Sequence, residues 1–284
     1  MNLTVDRLKE LFVKLGGAES VVAGCSTIVE VLNAISAKYD GKDDAILNPD
    51  AISNITEIAD KIGGGGDPTK NALIVEGVTV IGPSAFNVYG ESGKITKVNV
   101  PGTVKKIGDY AFAYCGNLRD LTLAKGIEEI GESAFYQIAV ENLVLPDGLQ
   151  KIGGEAFGYI LSLKSVSTDA KIIDNGAFRM NDGPDEDPHL PPYALVAVEK
   201  IELREGVESI GRQAFLGLKS ETPLVLPNSI QQLQRNSFEE FYVDTIYVPF
   251  SISSELAQTA PWGAVKYEDG HYSQPTIVYD YTGA

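Results

Sequence analysis

The chain has 284 residues, of which 44% are hydrophobic and 22% charged, an ordinary balance for a globular protein with enough apolar mass to build a core. Lys and Arg number 23 against 39 Asp and Glu, for a formal net charge of −16. A chain this acidic repels phosphate backbones and anionic lipid heads, which argues against nucleic acid and membrane surfaces as partners.

Residues 1–62 read as helical. Leu3, Leu8, Leu11, Phe12 and Leu15 fall near helical spacing behind Thr4, a fitting N-cap, and Gly16-Gly17 stops the run. A second run after Ser26-Thr27 sets Ile28, Val31, Leu32 and Ile35 on one face, and a third, Asp50 to Ile62, carries Ile52, Ile55, Ile58 and Ile62. Three short helices are marginal on their own, so an attachment module, or a homo-oligomer formed through residues 1–62, is expected. Val22-Ala23-Gly24-Cys25 has the small-residue form of a lipoprotein cleavage site. Lys14 and Glu19, however, interrupt the apolar stretch that should precede it, so no export signal or anchor is expected in the chain as written. No apolar run approaches the roughly 18 residues a spanning helix needs. Residues 63–71 form a linker, marked by Gly63-Gly64-Gly65-Gly66 and Pro68. It lacks the Gly-Lys-Ser/Thr ending of a phosphate loop.

From residue 72 the chain changes character. Ala-Phe recurs at Ala85-Phe86, Ala111-Phe112, Ala134-Phe135, Ala156-Phe157, Ala177-Phe178 and Ala214-Phe215, followed by Ser237-Phe238, with Phe spacings of 26, 23, 22, 21, 37 and 23. Five residues before each Phe stands an aliphatic residue: Ile81, Ile107, Ile130, Ile152, Ile173, Ile210 and Leu233. Gly follows at Gly82, Gly108, Gly131, Gly153 and Gly211, where a tight turn with positive φ is expected. Further upstream lies L-x-x-L-x-L, as in Leu118-x-x-Leu121-x-Leu123 and Val140-x-x-Leu143-x-Leu145. Its last pair has the period-two pattern of a strand with one buried face. A period in the low twenties is the mark of a solenoid, in which a coil that cannot bury its own Phe, Ile and Leu buries them against its neighbours. The short strands are expected to join into a parallel sheet.

The run L-x-x-L-x-L-P-x-x-V/I-x-x-I-G-x-x-A-F resembles the BspA-like leucine-rich repeat of bacterial surface and secreted proteins, over residues 78–250. Ile173-Asp174 and Leu233-Gln234 depart from the pattern. The resemblance implies a leucine-rich-repeat solenoid that binds proteins or glycans and carries no catalysis. The expected class is therefore α+β: a small helical module over 1–62, a linker over 63–71, a solenoid of about seven coils over 72–250, and a cap and tail over 251–284.

Two places invite function. The outward strand positions, Asn99, Thr122, Val144, Ser167, Glu202, Val225 and Tyr247, form a candidate partner-facing strip or an ordinary solvated sheet face. The spacing of 37 holds an insertion, Arg179 to Tyr193, and such insertions become loops on one face, so Tyr193 joins the candidates. Its Asp182, Asp185, Glu186 and Asp187 offer oxygens of the kind calcium takes but match no calcium loop, and a solvated acidic loop is expected. Trp262, in Ala260-Pro261-Trp262-Gly263, either covers the open end of the core or stacks on a ligand.

Cys25 and Cys115 are expected to be free, and no metal or cofactor site is expected. His189 and His271, the only histidines, form no nucleophile-base pattern, which leaves a carboxylate-dependent hydrolase as a remote alternative. A binding protein for a cell-surface protein or glycan is the reading, in either of two settings. One is a phage or prophage tail component, since residues 1–66 and the end of the chain loosely resemble prophage tail-type proteins. The other is a bacterial cell-surface adhesin.

Overall fold

The computed structural model describes residues 71–73, 79–87, 95–180, 195–268 and 271–282. The expected helices of 1–62, most of the linker, Cys25, Tyr193 and the acidic stretch of the insertion lie outside the described residues. Within them the fold is a β-solenoid, with no α-helix and one 3₁₀ helix at Glu255–Thr259, so the α of the expected α+β class rests on 1–62.

One side of the solenoid is a continuous parallel sheet of seven two-residue strands. In order they are Val80–Ile81, Lys106–Ile107, Glu129–Ile130, Lys151–Ile152, Ile172–Ile173, Ser209–Ile210 and Gln232–Leu233. Ile81, Ile107, Ile130, Ile152, Ile173, Ile210 and Leu233 sit in register and point inward, so the aliphatic marker of each repeat becomes one rung of an apolar column.

The longer strands behave differently. They pair in threes: Asn71–Leu73 with Lys97–Val100 and Asp120–Leu123; Asn142–Val144 with Ser165–Thr168 and Lys200–Leu203; Leu224–Val225 with Thr245–Tyr247 and Thr276–Val278. The expected single sheet is therefore three short ones. Strands of two to four residues carry few ladder bonds, so the packing of inward side chains sets coil spacing instead. Val98, Val100, Leu123, Leu143, Leu145 and Val166 stay buried across the break.

The third marker builds the spine. Phe86, Phe112, Phe135, Phe157, Phe178, Phe215 and Phe238 stack with successive centroid distances of 4.6, 5.1, 5.3, 5.6, 5.4 and 5.8 Å, and no pair is tilted by more than 19°. All but Phe86 are fully buried or nearly so. In the last coil Ser237 replaces Ala, and its buried hydroxyl has the carbonyls of Gln234 (2.8 Å) and Ile210 (2.9 Å) as acceptors. That satisfies a polar group burial would otherwise penalise.

The glycine after the aliphatic rung has a different reason from the one expected. Gly108, Gly131, Gly153 and Gly211 do not take positive φ. They are needed because adjacent backbones touch: a Cβ on Gly153 would lie 2.6 Å from the Gly131 carbonyl carbon and 2.8 Å from the Glu132 nitrogen. Gly153→Ala is expected to cost about 1–3 kcal/mol, the range for overpacking against atoms that cannot yield. The check is a lower denaturant midpoint; an unchanged midpoint would mean the coils separate freely.

Positive φ falls instead on residues two before and two after the Phe. Tyr110 (57°), Ser133 (49°) and Glu155 (52°) precede it, and Tyr114 (63°), Gln137 (57°) and Tyr159 (57°) follow it. Left-handed backbone costs a side-chain-bearing residue about 1–2 kcal/mol. The return is a row of hydrogen bonds to the next coil. The N–H groups of Tyr110, Phe112 and Tyr114 donate to the carbonyls of Glu132, Ala134 and Tyr136 at 2.8, 2.7 and 2.7 Å. On the aliphatic side the direction reverses, since Gly131 N–H donates back to the Ile107 carbonyl at 2.8 Å.

Candidate binding surface

The strand positions facing away from the core fall into three in-register groups: Asn99 with Thr122, Val144 with Ser167 and Glu202, and Val225 with Tyr247. Asn99 and Thr122 are exposed, Val144 is 71% exposed and Val225 40%. Ser167 and Glu202 are half-buried and bound to each other, the hydroxyl donating to the carboxylate at 2.7 Å. The Lys200 ammonium, donating to the same carboxylate at 2.9 Å, holds Glu202 below the usual carboxylate range, and Ser167 adds to the effect. Tyr247 is half-buried and packs on Tyr281, with centroids 4.6 Å apart.

The tail extends this surface. Thr276–Val278 pairs with Thr245–Tyr247 and sets Val278 beside Tyr247. The strip therefore runs from polar (Asn99, Thr122), through an exposed valine and a hydrogen-bonded charge, to an apolar and aromatic end. Tyr193 lies outside the described residues.

Trp262 is corrected as a ligand-stacking candidate. Its ring is fully buried, edge-on to Phe238 (6.2 Å) and Phe250 (6.0 Å), and its indole N–H donates to the Leu256 carbonyl at 3.0 Å. No face remains for a ligand, and the residue closes the core. Cys115 is likewise a packing residue: it is free and buried, and burial pushes its thiol up to about 12, far from a nucleophilic thiolate at neutral pH.

A row of tyrosines runs from exposed at Tyr114 to half-buried at Tyr136 and Tyr159. Tyr114, Tyr136 and Tyr159 lie along the Phe side with centroids 5.5 and 5.1 Å apart, and Tyr110 and Tyr114 are 39% and 44% exposed. Its only signal in the sequence is that tyrosine recurs within two residues of three successive spine phenylalanines.

Charges on the outer surface pair between coils. Lys105 meets Glu128 (3.0 Å), Lys106 meets Glu129 (3.2 Å), Lys151 meets Asp174 (3.0 Å), Lys164 meets Glu141 (2.7 Å) and Lys171 meets Glu208 (3.3 Å). Exposed pairs like these contribute about 0–1 kcal/mol each, so they keep the register and hydration of the surface more than its stability. Arg204 reaches further. It binds Asp147 and the Leu145 carbonyl, tying the coil after the insertion to one two coils back, and its guanidinium holds Asp147 below the usual carboxylate range.

Among the described residues, no group of three or more His, Cys, Asp or Glu is placed to hold a metal, and no helix is long and apolar enough to cross a membrane. His271 lies exposed in an antiparallel hairpin of Lys266–Glu268 and His271–Ser273.

The rung pattern (inward L-x-L, inward Ile, stacked Phe) is that of a known repeat. The family model of the BspA type leucine rich repeat region matches in six copies over residues 79–182 and 193–258, more than half of the chain. The chain belongs to the BspA-type leucine-rich-repeat family. No curated protein sequence matches it. Solved structures similar to this BspA-type solenoid include the T. pallidum leucine-rich-repeat protein, 22% identical, covering 50% of this chain and 72% of that one with a TM-score of 0.33. A leucine-rich-repeat protein from Bacteroides ovatus is 17% identical, over 74% and 71% of the two chains, with a TM-score of 0.31. A leucine rich cell surface protein from Faecalibacterium prausnitzii is 16% identical, over 77% and 89%, with a TM-score of 0.30. The unmatched stretch of the BspA-type region, residues 183–192, lies within the insertion.

Proposed function

We propose that the chain is a non-enzymatic binding protein of the bacterial cell surface, an adhesin whose solenoid recognises a protein or glycan on another surface. Family membership supports a binding scaffold, and the strip supports a place for it. The observation that carries the reading is Val144, a valine 71% exposed at the middle of a face whose backbone is fixed from behind by a packed core. An apolar anchor on a rigid face offers a partner contact area that needs no ordering on binding. The alternative setting, a phage or prophage tail component, draws chiefly on residues 1–66, outside the described residues.

The test is binding of fluorescent full-length chain to intact epithelial cells, with protease-treated and periodate-treated cells separating protein from glycan partners. Val144→Glu together with Tyr247→Ala is expected to weaken binding about tenfold or more, as loss of central contact residues does. The change should leave the circular-dichroism melt nearly in place, because neither side chain belongs to the buried core. Equal binding by the double variant would overturn the assignment of this face.

A further inference from the structure

Two residues past each inward aliphatic residue, the positions of successive coils line up in a column: Pro83, Asp109, Glu132, Gly154, Asn175, Arg212 and Arg235. In two of the earlier coils this position serves the backbone of the next coil. Asp109 accepts from the Glu132 N–H and Asn175 accepts from the Arg212 N–H, both at 2.8 Å. An arginine cannot accept, so in the last two coils the position carries a cation in place of an acceptor. Ile210 and Leu233 are paired in register, which puts Arg212 and Arg235 one coil apart, about 4.8 Å along the sheet.

This contradicts the pattern of the surrounding surface, where cations meet carboxylates of the adjacent coil. Among the described residues neither Arg212 nor Arg235 forms an ion pair, and both are exposed. The nearby carboxylates are engaged elsewhere: Asp174 with Lys151, Glu208 with Lys171, and Glu239 with the Gln213 amide at 2.7 Å. Arg119, Lys125 and Lys219 also lack an ion pair but stand singly. Arg212 and Arg235 share one concavity, completed by Gln234 and Asn236, with no acidic residue in its lining. The two guanidiniums repel each other only weakly through solvent, and an anion seated between them in this concavity meets two attractive charges at once.

We propose that Arg212 and Arg235, with Gln234 and Asn236, form a binding site for a single oxyanion carried by an acidic sugar. A planar guanidinium takes a carboxylate or sulfate through two parallel hydrogen bonds, and two guanidiniums a coil apart span one such group. Gln234 and Asn236 supply neutral amides that can donate to the hydroxyls of the same sugar. The net charge selects among anions: a polyanion is repelled strongly by the rest of the molecule, whereas one acidic group on an otherwise neutral saccharide is repelled far less. The inference rests on the surface-binding reading, and it adds a site on a side of the solenoid distinct from the Val144 strip.

The experiment is titration calorimetry of the full chain with 3′-sialyllactose, a 6-sulfated lactoside, neutral lactose, an oligo-glutamate peptide and heparin. Saturable binding of the sialyl or sulfated saccharide is expected, with the preferred one identifying the oxyanion, and no binding of neutral lactose. Arg212→Ala with Arg235→Ala should abolish it without shifting the thermal melt, and Arg212→Lys with Arg235→Lys should restore only part. Tighter binding of heparin or of the peptide would overturn the acidic-sugar assignment. So would equal binding of neutral lactose, or undiminished binding by the alanine pair. Failure is separable from that of the surface reading: cell binding that survives the alanine pair, with no saccharide bound by the parent chain, sinks this site alone. Saccharide binding with no attachment to cells sinks the surface reading alone.

Discussion

Replacing Phe135 by alanine is expected to destabilise the solenoid by about 3–5 kcal/mol, the usual loss for truncating a buried aromatic ring. The ring is fully buried and lies between Phe112 at 5.1 Å and Phe157 at 5.3 Å. The gap cannot collapse easily, because the coils on either side are pinned. Phe135 N–H is bound to the Ala156 carbonyl at 2.8 Å, and Gly153 N–H to the Ile130 carbonyl at 2.8 Å. Since each coil is stabilised mainly by its neighbours, the cavity also weakens coupling between the two halves of the stack. Denaturant melts should show a lower midpoint and a broader transition. A loss below about 1 kcal/mol would mean the spine is not the main source of cohesion.

Trp262→Ala should cost a similar amount, about 3–5 kcal/mol, but in a different place. The indole covers the last rung, against Phe238 and Phe250, and its N–H bond to Leu256 holds the 3₁₀ helix beneath it. The backbone bond from Phe238 N–H to the Trp262 carbonyl, 2.9 Å, survives the substitution. Unfolding should therefore begin at that end. Hydrogen exchange is expected to lose protection first over residues 230–265, with the coils around Ile107 and Ile130 protected as before. Trp262→Phe should recover much of the loss. Uniform loss of protection along the chain would show that this residue is not an end cap.

The fixed offsets of Leu, Ile and Phe made the inward face legible, because a repeated side chain at a repeated spacing has few other physical uses. The role of the intervening glycines was not. Whether Gly153 is needed for its φ or for want of a Cβ depends on where Gly131 lies in the next coil, which no local pattern states. Nor did Tyr110 or Glu155 announce left-handed backbone, since neither residue type favours it; stacking of the coils imposes it. Val144 and Asn99 could be read as outward from the strand period. The Ser167–Glu202 bond could not, because an insertion separates its partners by 35 positions in the chain. Trp262 was ambiguous from sequence for the same reason: whether an aromatic ring faces ligand or core is settled by what lies behind it.

The uniform direction of the hydrogen bonds along the Phe side has a further consequence. Successive coils offer the same donors forward and the same acceptors behind, from Tyr110, Phe112 and Tyr114 through to Phe238, except that Ala214 donates in place of Phe215. A whole coil can thus be excised or duplicated without orphaning a polar group, while a partial one cannot. Reach is then an adjustable property of this architecture: lineages can lengthen or shorten the exposed faces by unequal recombination, and the terminal plug needs to be made only once.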